Sequence, residues 1–415
     1  MTHFRPDAAR NISFVAHSDI GGRGDGVQIM VHRGYAYVGH GFSNGISVID
    51  VRDPREPKTV NFIACPPGTR ALHLQTHEDL LLCVNAPSVW TMEEFQKDEK
   101  TYFGASPADS LKRQMGKFTP GMRVFDISKP EQPREIGFMP VHGIGPHRIW
   151  YVGGRYAYAS IHFADFSDHI FSVIDLNDIT RPEVVGRWWI PGMWTGGGET
   201  PSWKTGRRYA LHHALVAGDL AFGAWRDGGL TILDIKDKTQ PKLLAYRNTD
   251  PPFGGMTHSP LPLMDRNLLV VGDEAVNNNG VGGPKYIWVY DIREPSNPVS
   301  IATMPQPAEA DYCAKGGKFG SHNLHENRPG AFQSSRLVFA TYYNAGVRTF
   351  DITNPFRPEE VGYFVPPAPQ KMMDPRPGMP QVIQNADCYV DKEGFMYLTD
   401  PNAGLYILKY EGPMI

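Results

Sequence analysis

One repeated segment constrains the fold of this chain more than any other feature of its sequence. Six times an apolar run ends in Asp and a Pro follows seven residues later, as in ISVIDVRDPREP and VRTFDITNPFRP. The six pairs are Asp50 and Pro57, Asp126 and Pro133, Asp175 and Pro182, Asp234 and Pro241, Asp291 and Pro298, and Asp351 and Pro358. The runs alternate as strands do, and Asp and Pro are typical of the turns that follow strands. A seventh run, LYILKY at 405–410, lacks the Asp-Pro turn.

Each run follows a predicted hairpin and each proline precedes another apolar strand, which gives four strands in roughly fifty residues, as in a β-propeller blade. The N-terminal segment NISFVAH has no hairpin partner, so it can supply the strand that the seventh repeat lacks. We therefore predict an all-β chain that forms a single seven-bladed β-propeller domain over residues 1–415, with the N-terminal strand closing the last blade.

Two pairs of segments, GYAYVGHG with ISVIDVRDP and DLAFGAW with GLTILDIKDK, resemble the LVIVD-repeat family. The resemblance extends over almost the whole chain, and it implies the propeller fold. It implies little about chemistry, because propellers include both enzymes and scaffolds.

Charge and composition exclude several classes of function. The net charge of -3 gives no basic surface for nucleic acid. No apolar run approaches the length of a membrane-spanning helix, and the first residues lack the apolar core of a secretory signal. The four cysteines are scattered and form neither a zinc motif nor a disulfide framework. These features indicate a cytoplasmic protein that binds neither nucleic acid nor membrane.

The long connections gather on one face of the predicted propeller, at 89–120, 191–209, 305–321 and 366–385. Long loops over one opening are typical of a ligand site, so we predict a small-molecule substrate there. A protein-docking surface or a homo-oligomer interface is the alternative. Residues 105–118 can form a short amphipathic helix, which suits either interpretation.

Aligning the repeats by their hairpins places a histidine at the start of the innermost strand in four successive blades. These are His147, His212, His258 and His322, which we predict to bind a metal ion on the propeller axis. Four further residues lie close enough in the alignment to support them, namely His73, His213, His325 and Asp387. His213 and His325 are expected on the other face of their strands.

Neutral imidazoles suit a divalent transition metal such as Fe, Zn or Mn. A four-histidine site on a propeller axis is similar to the iron site of carotenoid-cleavage oxygenases, whose motifs this sequence lacks. A histidine sphere without a carboxylate therefore slightly favours oxygen-dependent cleavage of a small organic molecule. A metal-dependent hydrolase or lyase is the first alternative, since oligogalacturonate lyases also have a histidine-rich metal site in a propeller. A non-enzymatic scaffold is the second.

The loops supply candidates for the rest of an active site. The predicted general bases are His17, Asp19 and Glu199. The predicted substrate-binding residues are Arg23, Trp194, Arg207, Tyr342 and Tyr343, which suit an aromatic or carboxylated molecule. The segment HFADFSDH at 162–169 has the spacing for a second cation, but we expect it to be a solvated loop.

Overall fold

The computed structural model describes residues 4–89, 118–376 and 378–415. Within these ranges the regular structure consists of β-strands and two 3-10 helices, Thr195–Gly197 and Met264–Arg266. The all-β prediction is therefore confirmed. The helix predicted at 105–118, and most of the loop predicted at 89–120, lie outside the described residues. No helix in the described part of the chain is long and apolar enough to cross a membrane.

The strands form successive antiparallel groups along the chain. Two strands, β1 (Ala8–Arg10) and β2 (Ile12–Ser18), precede them. Group 1 contains β3 (Gly26–His32), β4 (Tyr35–His40), β5 (Gly45–Asp50) and β6 (Lys58–Ala64). Group 2 contains β7 (Thr69–Arg70), β8 (Leu74–His77), β9 (Leu80–Pro87), β10 (Gly121–Asp126) and β11 (Arg134–Pro140). Group 3 contains β12 (Gly145–Trp150), β13 (Tyr156–His162), β14 (Ile170–Asp175) and β15 (Glu183–Trp188).

Groups 4 and 5 form one hydrogen-bonded sheet through a single pair, Arg226 and Thr257. Group 4 contains β16 (Tyr209–Ala217), β17 (Leu220–Arg226), β18 (Leu230–Asp234) and β19 (Lys242–Arg247). Group 5 contains β20 (Thr257–Leu263), β21 (Leu268–Asp273), β22 (Ile287–Asp291) and β23 (Val299–Thr303). Group 6 contains β24 (Leu337–Thr341), β25 (Val347–Asp351) and β26 (Glu359–Val365). Group 7 contains β27 (Asp387–Val390), β28 (Phe395–Asp400) and β29 (Gly404–Tyr410).

The repeated aspartates have a common structural role. Each one ends a strand, and the next strand begins directly after the repeat's proline. In every copy the carboxylate accepts a hydrogen bond from the backbone N–H two residues later, at 2.7–3.1 Å. This local bond starts a tight turn, which explains why Asp recurs where the strand must end.

The N-terminal strands join two groups. β1 pairs with β26 of group 6, and β2 pairs with β29 of group 7, which is the pairing that the sequence predicts for NISFVAH. The apolar side chains of neighbouring groups pack face to face and form the core. The largest buried cluster includes Val124, Ile161 and Leu215.

Group 1 contains a buried polar network that holds the end of its first hairpin. The Asp25 carboxylate accepts hydrogen bonds from the N–H groups of Phe42 and Ser43, at 2.6 and 2.7 Å. It also contacts His40 Nδ1 at 2.9 Å, and His40 Nε2 lies 2.8 Å from Ser47 Oγ. These groups have the order of a catalytic triad, but Asp25, His40 and Ser47 are each 0% exposed. No substrate reaches them, so the network stabilises the fold.

We predict that Asp25→Asn lowers the free energy of unfolding by about 2–3 kcal/mol at neutral pH, because a charged acceptor of several buried bonds is lost. Burial alone would raise the pKa of Asp25, but the hydrogen bond and charge of His40 and the donors of Ser43 lower it from 3.8 to about 2. The carboxylate therefore stabilises the fold above pH ~4, and this contribution disappears as the pH falls towards ~2. Urea unfolding at several pH values measures both effects.

The control is Asp53→Asn, since Asp53 is an exposed turn residue. We expect it to change the free energy of unfolding by less than about 0.5 kcal/mol. Equal losses in the two variants would contradict a structural role for the buried network.

Candidate metal centre

The aligned histidines lie at irregularities in the innermost strands. In group 3 the strand ladder passes from Pro146 to Arg148 and leaves His147 unpaired, and in group 5 it passes from Thr257 to Ser259 around His258. In group 4 the ladder is interrupted between Tyr209 and His213, a stretch that contains His212. An extra residue in one strand bends it and redirects a side chain. The irregularities thus direct one histidine per group into a shared cavity.

Group 6 repeats this arrangement without a regular innermost strand. His322 donates its backbone N–H to Thr341 O, and Thr341 donates its own to Asn323 O, both at 2.9 Å. His322 and Asn323 therefore lie opposite the single residue Thr341, as two residues lie opposite one at a β-bulge. The bridge between Leu324 and Ala340 continues the pairing for one further residue.

The four histidines and His73 form a continuous row of rings. Adjacent ring centroids are 4.8 Å apart from His73 to His147, 4.7 Å from there to His212, 3.5 Å on to His258 and 4.6 Å on to His322. The rings of His212 and His258 are stacked. The structure therefore brings together the four residues that the alignment selects as metal ligands.

Hydrogen bonds fix which nitrogen of each ring is available. Carbonyl oxygens only accept, so His212 donates Nδ1–H to His258 O at 3.0 Å, and His322 donates Nδ1–H to Ala386 O at 2.7 Å. His258 Nδ1 bonds to Ser259 Oγ at 2.8 Å. In the neutral rings of His212 and His322, Nε2 then carries the lone pair, which is how metal-binding histidines are commonly oriented. His147 Nε2 is buried and has no hydrogen-bond partner in the described residues.

The four aligned histidines, which we call the histidine cluster, lie beside the carboxylate of Glu274. Its oxygens lie 3.5 Å from His258 Nε2 and 3.9 Å from His322 Nε2. The ligand atoms of His212, His258 and Glu274 all lie within 4.8 Å of one another. Glu274, which the sequence alignment did not select, is therefore a further candidate ligand beside the histidines.

Neighbouring donors and cations keep Glu274 ionised, and burial keeps the histidines neutral. Burial would raise the pKa of Glu274, but Arg226, Lys318 and the Tyr343 hydroxyl lower it. Arg226 Nη1 lies 3.1 Å from the carboxylate, and the Tyr343 hydroxyl donates to it at 2.9 Å. Burial, with contributions from nearby cations, lowers the pKa of the four aligned histidines. Neutral imidazoles beside an ionised carboxylate are the protonation states that a metal ion requires.

The cluster faces a cavity that is open to solvent. The loops at 305–321 and 366–385 contribute to its wall through Lys318, Met372, Asp374, Arg376 and Met379. The predicted loop at 191–209 does not line this cavity in the described residues. The cavity thus has a polar floor and a wall that mixes apolar side chains with charged side chains of both signs.

The structure does not bring the predicted general bases to this cavity. His17 and Asp19 line a separate open cavity near Tyr406. Glu199 accepts hydrogen bonds from the backbone N–H groups of Gly192 and Trp194, so it holds its own loop together. We assign none of the three a role in chemistry at the histidine cluster.

Of the predicted substrate-binding residues, Tyr343 alone lines the cavity that faces the histidine cluster, as far as the structure describes it. Its ring stacks on His322 at 4.5 Å. The other four are elsewhere: Arg23 packs over Phe62, Trp194 bonds to Asp165, Arg207 pairs with Asp250, and Tyr342 is buried near Phe350.

The predicted supporting residues divide into two sets. His73 lines the cavity beside His147. His213, His325 and Asp387 line a smaller, separate cavity. His325 bonds to Phe332 O through Nε2 and accepts the N–H of Val390 through Nδ1, so both nitrogens have structural partners. Burial raises the pKa of Asp387 to about 7.

The segment at 162–169 differs from the solvated loop that we expected. His162, Asp168 and His169 are all buried. Asp168 bonds to His169 Nδ1 at 2.7 Å and to Arg208 Nε at 2.8 Å. Because Arg208 already supplies a positive charge to this carboxylate, the segment is a buried ion-pair network.

Arg226 and Glu274, which lie at or just beyond the ends of the second strands, were missed in the sequence analysis, whereas Tyr343 in the same position was predicted as a substrate-binding residue. In groups 4, 5 and 6 the residues opposite the irregularities are Ala224, Gly272 and Thr341, respectively. Two positions further along the chain lie Arg226, Glu274 and Tyr343, respectively. All three of these line the cavity. Extending the hairpin alignment from the first strand to the second would have selected Glu274 from the segment GDEAV.

Two stretches of the chain, residues 23–61 and 214–249, match the LVIVD repeat family. These stretches include β3 to β5 and most of group 4, and they confirm the resemblance seen in the sequence. Among curated proteins, none matches this chain.

Solved structures show what the fold is similar to. The periplasmic gluconolactonase PpgL of Pseudomonas aeruginosa is 12% identical, with a TM-score of 0.52 and coverage of 98% of this chain and 97% of that one. A hypothetical selenium-binding protein from Sulfolobus tokodaii is 13% identical, with a TM-score of 0.52 and coverage of 96% and 90%. The β-propeller domain of Cps50 (Swd1) from Myceliophteria thermophila is 8% identical, with a TM-score of 0.55 and coverage of 93% and 96%. At such identities the likeness shows a propeller-like fold alone.

We predict that His258→Ala and His322→Ala each lower metal retention at least about tenfold, because each removes a nitrogen from the cluster. Elemental analysis of protein purified after supplementation with Fe, Mn or Zn measures this. His142→Ala is the control, since His142 is exposed and does not line the cavity. Full metal content in both cluster variants would contradict the ligand assignment.

Proposed function

We propose that this protein is a metal-dependent enzyme that uses one divalent transition metal at the histidine cluster for oxygen-dependent cleavage of a small carboxylated molecule. The observation that carries the proposal is the convergence of the Nε2 atoms of His258 and His322 on the Glu274 carboxylate. It supports a cation site because a lone pair and an ionised oxygen repel each other unless a cation lies between them.

The composition of the donor set suits Fe, Mn or Zn. His212, His258 and Glu274 supply two imidazoles and a carboxylate, a ligand set that catalytic zinc sites also use, and His147 and His322 lie beside them. Histidine with carboxylate and an open position is typical of non-haem Fe(II) oxygenases. Bound metal would supply activation of dioxygen beside the substrate. The sequence argument for oxygen chemistry assumed metal ligands without a carboxylate. The present proposal instead uses histidines together with the carboxylate of Glu274.

The chain's own residues prepare the site. The backbone bonds of His212 and His322 orient their rings, and the Tyr343 hydroxyl with Arg226 fixes the Glu274 carboxylate. Loop residues such as Met372 and Met379 provide apolar surface over the cavity, which limits access of bulk water to a bound substrate.

We propose that the chain forms a closed seven-bladed propeller around this site. The seven strand groups and the pairing of β2 with β29 support it. We also propose a cytoplasmic location, which is supported by the four cysteines, since all of them are free thiols.

Oxygen consumption tests the proposed reaction. We expect the metal-loaded protein to consume oxygen with a member of a panel of small aromatic and aliphatic carboxylic acids, and Glu274→Gln to lower the rate at least about tenfold by weakening metal binding. Glu393→Gln, which changes an exposed carboxylate, is the control. Turnover of the panel without oxygen uptake would favour a hydrolase or lyase. Absence of bound metal under all loading conditions would favour a scaffold.

A further inference from the structure

Arg148 is a buried cation without a close anionic partner. It follows His147 on β12, is 2% exposed and lines the floor of the cavity. Its Nη2 donates to Asn323 Oδ1, while Nε has no hydrogen-bond partner in the described residues. Among the ion pairs of the described ranges, none includes Arg148 within 4.0 Å. A guanidinium has five N–H donors, so most of this group's capacity is unused.

The nearest carboxylates do not neutralise Arg148 directly. Glu274 is engaged by Arg226 and Tyr343. Glu326 accepts a hydrogen bond from Gln75 at 3.1 Å and lies 3.9 Å from Arg328. Asp387 accepts the N–H of Ile29, and burial raises its pKa to about 7, so it is only partly ionised at neutral pH. A buried charge without a partner destabilises the folded state about as strongly as a broken buried ion pair does.

We propose that Arg148 binds the carboxylate of the substrate at the floor of the cavity, directly beside the histidine cluster. A guanidinium matches a carboxylate in shape and charge. The cavity also has cationic Lys318 and Arg70 near apolar Phe42 and Met379, which suits a small organic acid with an apolar body. This inference deepens the proposed function by naming the substrate class and the residue that recognises it. Carboxylate binding by Arg148 does not depend on the proposed function, but its role in catalysis rests on that function.

Binding of benzoate and of its neutral isostere benzamide tests the inference. Calorimetric titrations at constant ionic strength use metal-free wild-type protein, Arg148→Met and Arg148→Lys. We expect benzoate to bind the wild type at least tenfold more tightly than benzamide, and Arg148→Met to lose that preference. Arg148→Lys should retain part of it, because the charge remains while the planar fork is lost. Arg181→Met, at an exposed arginine, is the matched control and should bind as the wild type does.

Thermal unfolding gives a second readout that does not depend on activity. Benzoate should raise the melting temperature of the wild type but not of Arg148→Met. Without ligand, Arg148→Met should melt higher than the wild type, because the substitution removes a buried, unpaired charge. If Arg148→Met does not fold, the titrations of Arg148→Lys decide the question. Equal binding of benzoate and benzamide by the wild type, or an unchanged preference in the Arg148 variants, would overturn the inference.

Metal content, measured on the same preparations, separates this inference from the proposed function. Arg148-dependent benzoate binding in a protein that retains no metal would support the inference while the metal-dependent function fails. A metal-loaded protein without carboxylate preference would overturn the inference and leave the metal site intact. Binding of benzoate that requires metal and is unaffected by the Arg148 variants would assign the carboxylate to the metal and also overturn it.

Discussion

The bond between each repeated aspartate and the backbone N–H two residues later is the interaction on which the architecture depends. In each of the six copies it ends the strand that precedes the turn, and it starts that turn. The strand so ended is five or six residues long in all six copies, so equivalent residues of these strands reach similar depths. A cluster of histidines from four groups is possible only because this local geometry recurs.

The features that could be predicted from the sequence are those that the local repeat determines. The six aspartates and prolines located strand ends to the residue, and the hairpin alignment selected His147, His212, His258 and His322, which the structure brings together. Loop residues were not predictable in this way, because the path of a loop depends on contacts distant in the chain. Glu199 bonds within its own loop, and Asp168 is buried by Arg208 from another segment. Glu274 was within reach of the alignment but directly follows the second strand, which the alignment did not use.

Burial decides which of two similar polar arrangements can act on a ligand. Asp25, His40 and Ser47 have the residue types of a hydrolase triad, yet every acceptor and donor among them is matched and none is exposed. The histidine cluster has the opposite character, since His147 Nε2 and Arg148 Nε are buried and lack partners in the described residues while facing a cavity. Unmatched buried polar atoms cost stability, so a protein keeps them where a ligand completes them.

The irregularities at His147 and His258 separate the residue that faces the cavity from the residues that hold the sheet together. A side chain in a ladder position must suit its cross-strand neighbours, whereas a residue outside the ladder is free of that requirement. Mutation at these positions can therefore alter the chemistry of the cavity while the strand pairing stays the same. In evolution or in protein engineering, the residue at such a position can be replaced to change the reaction while the fold is kept.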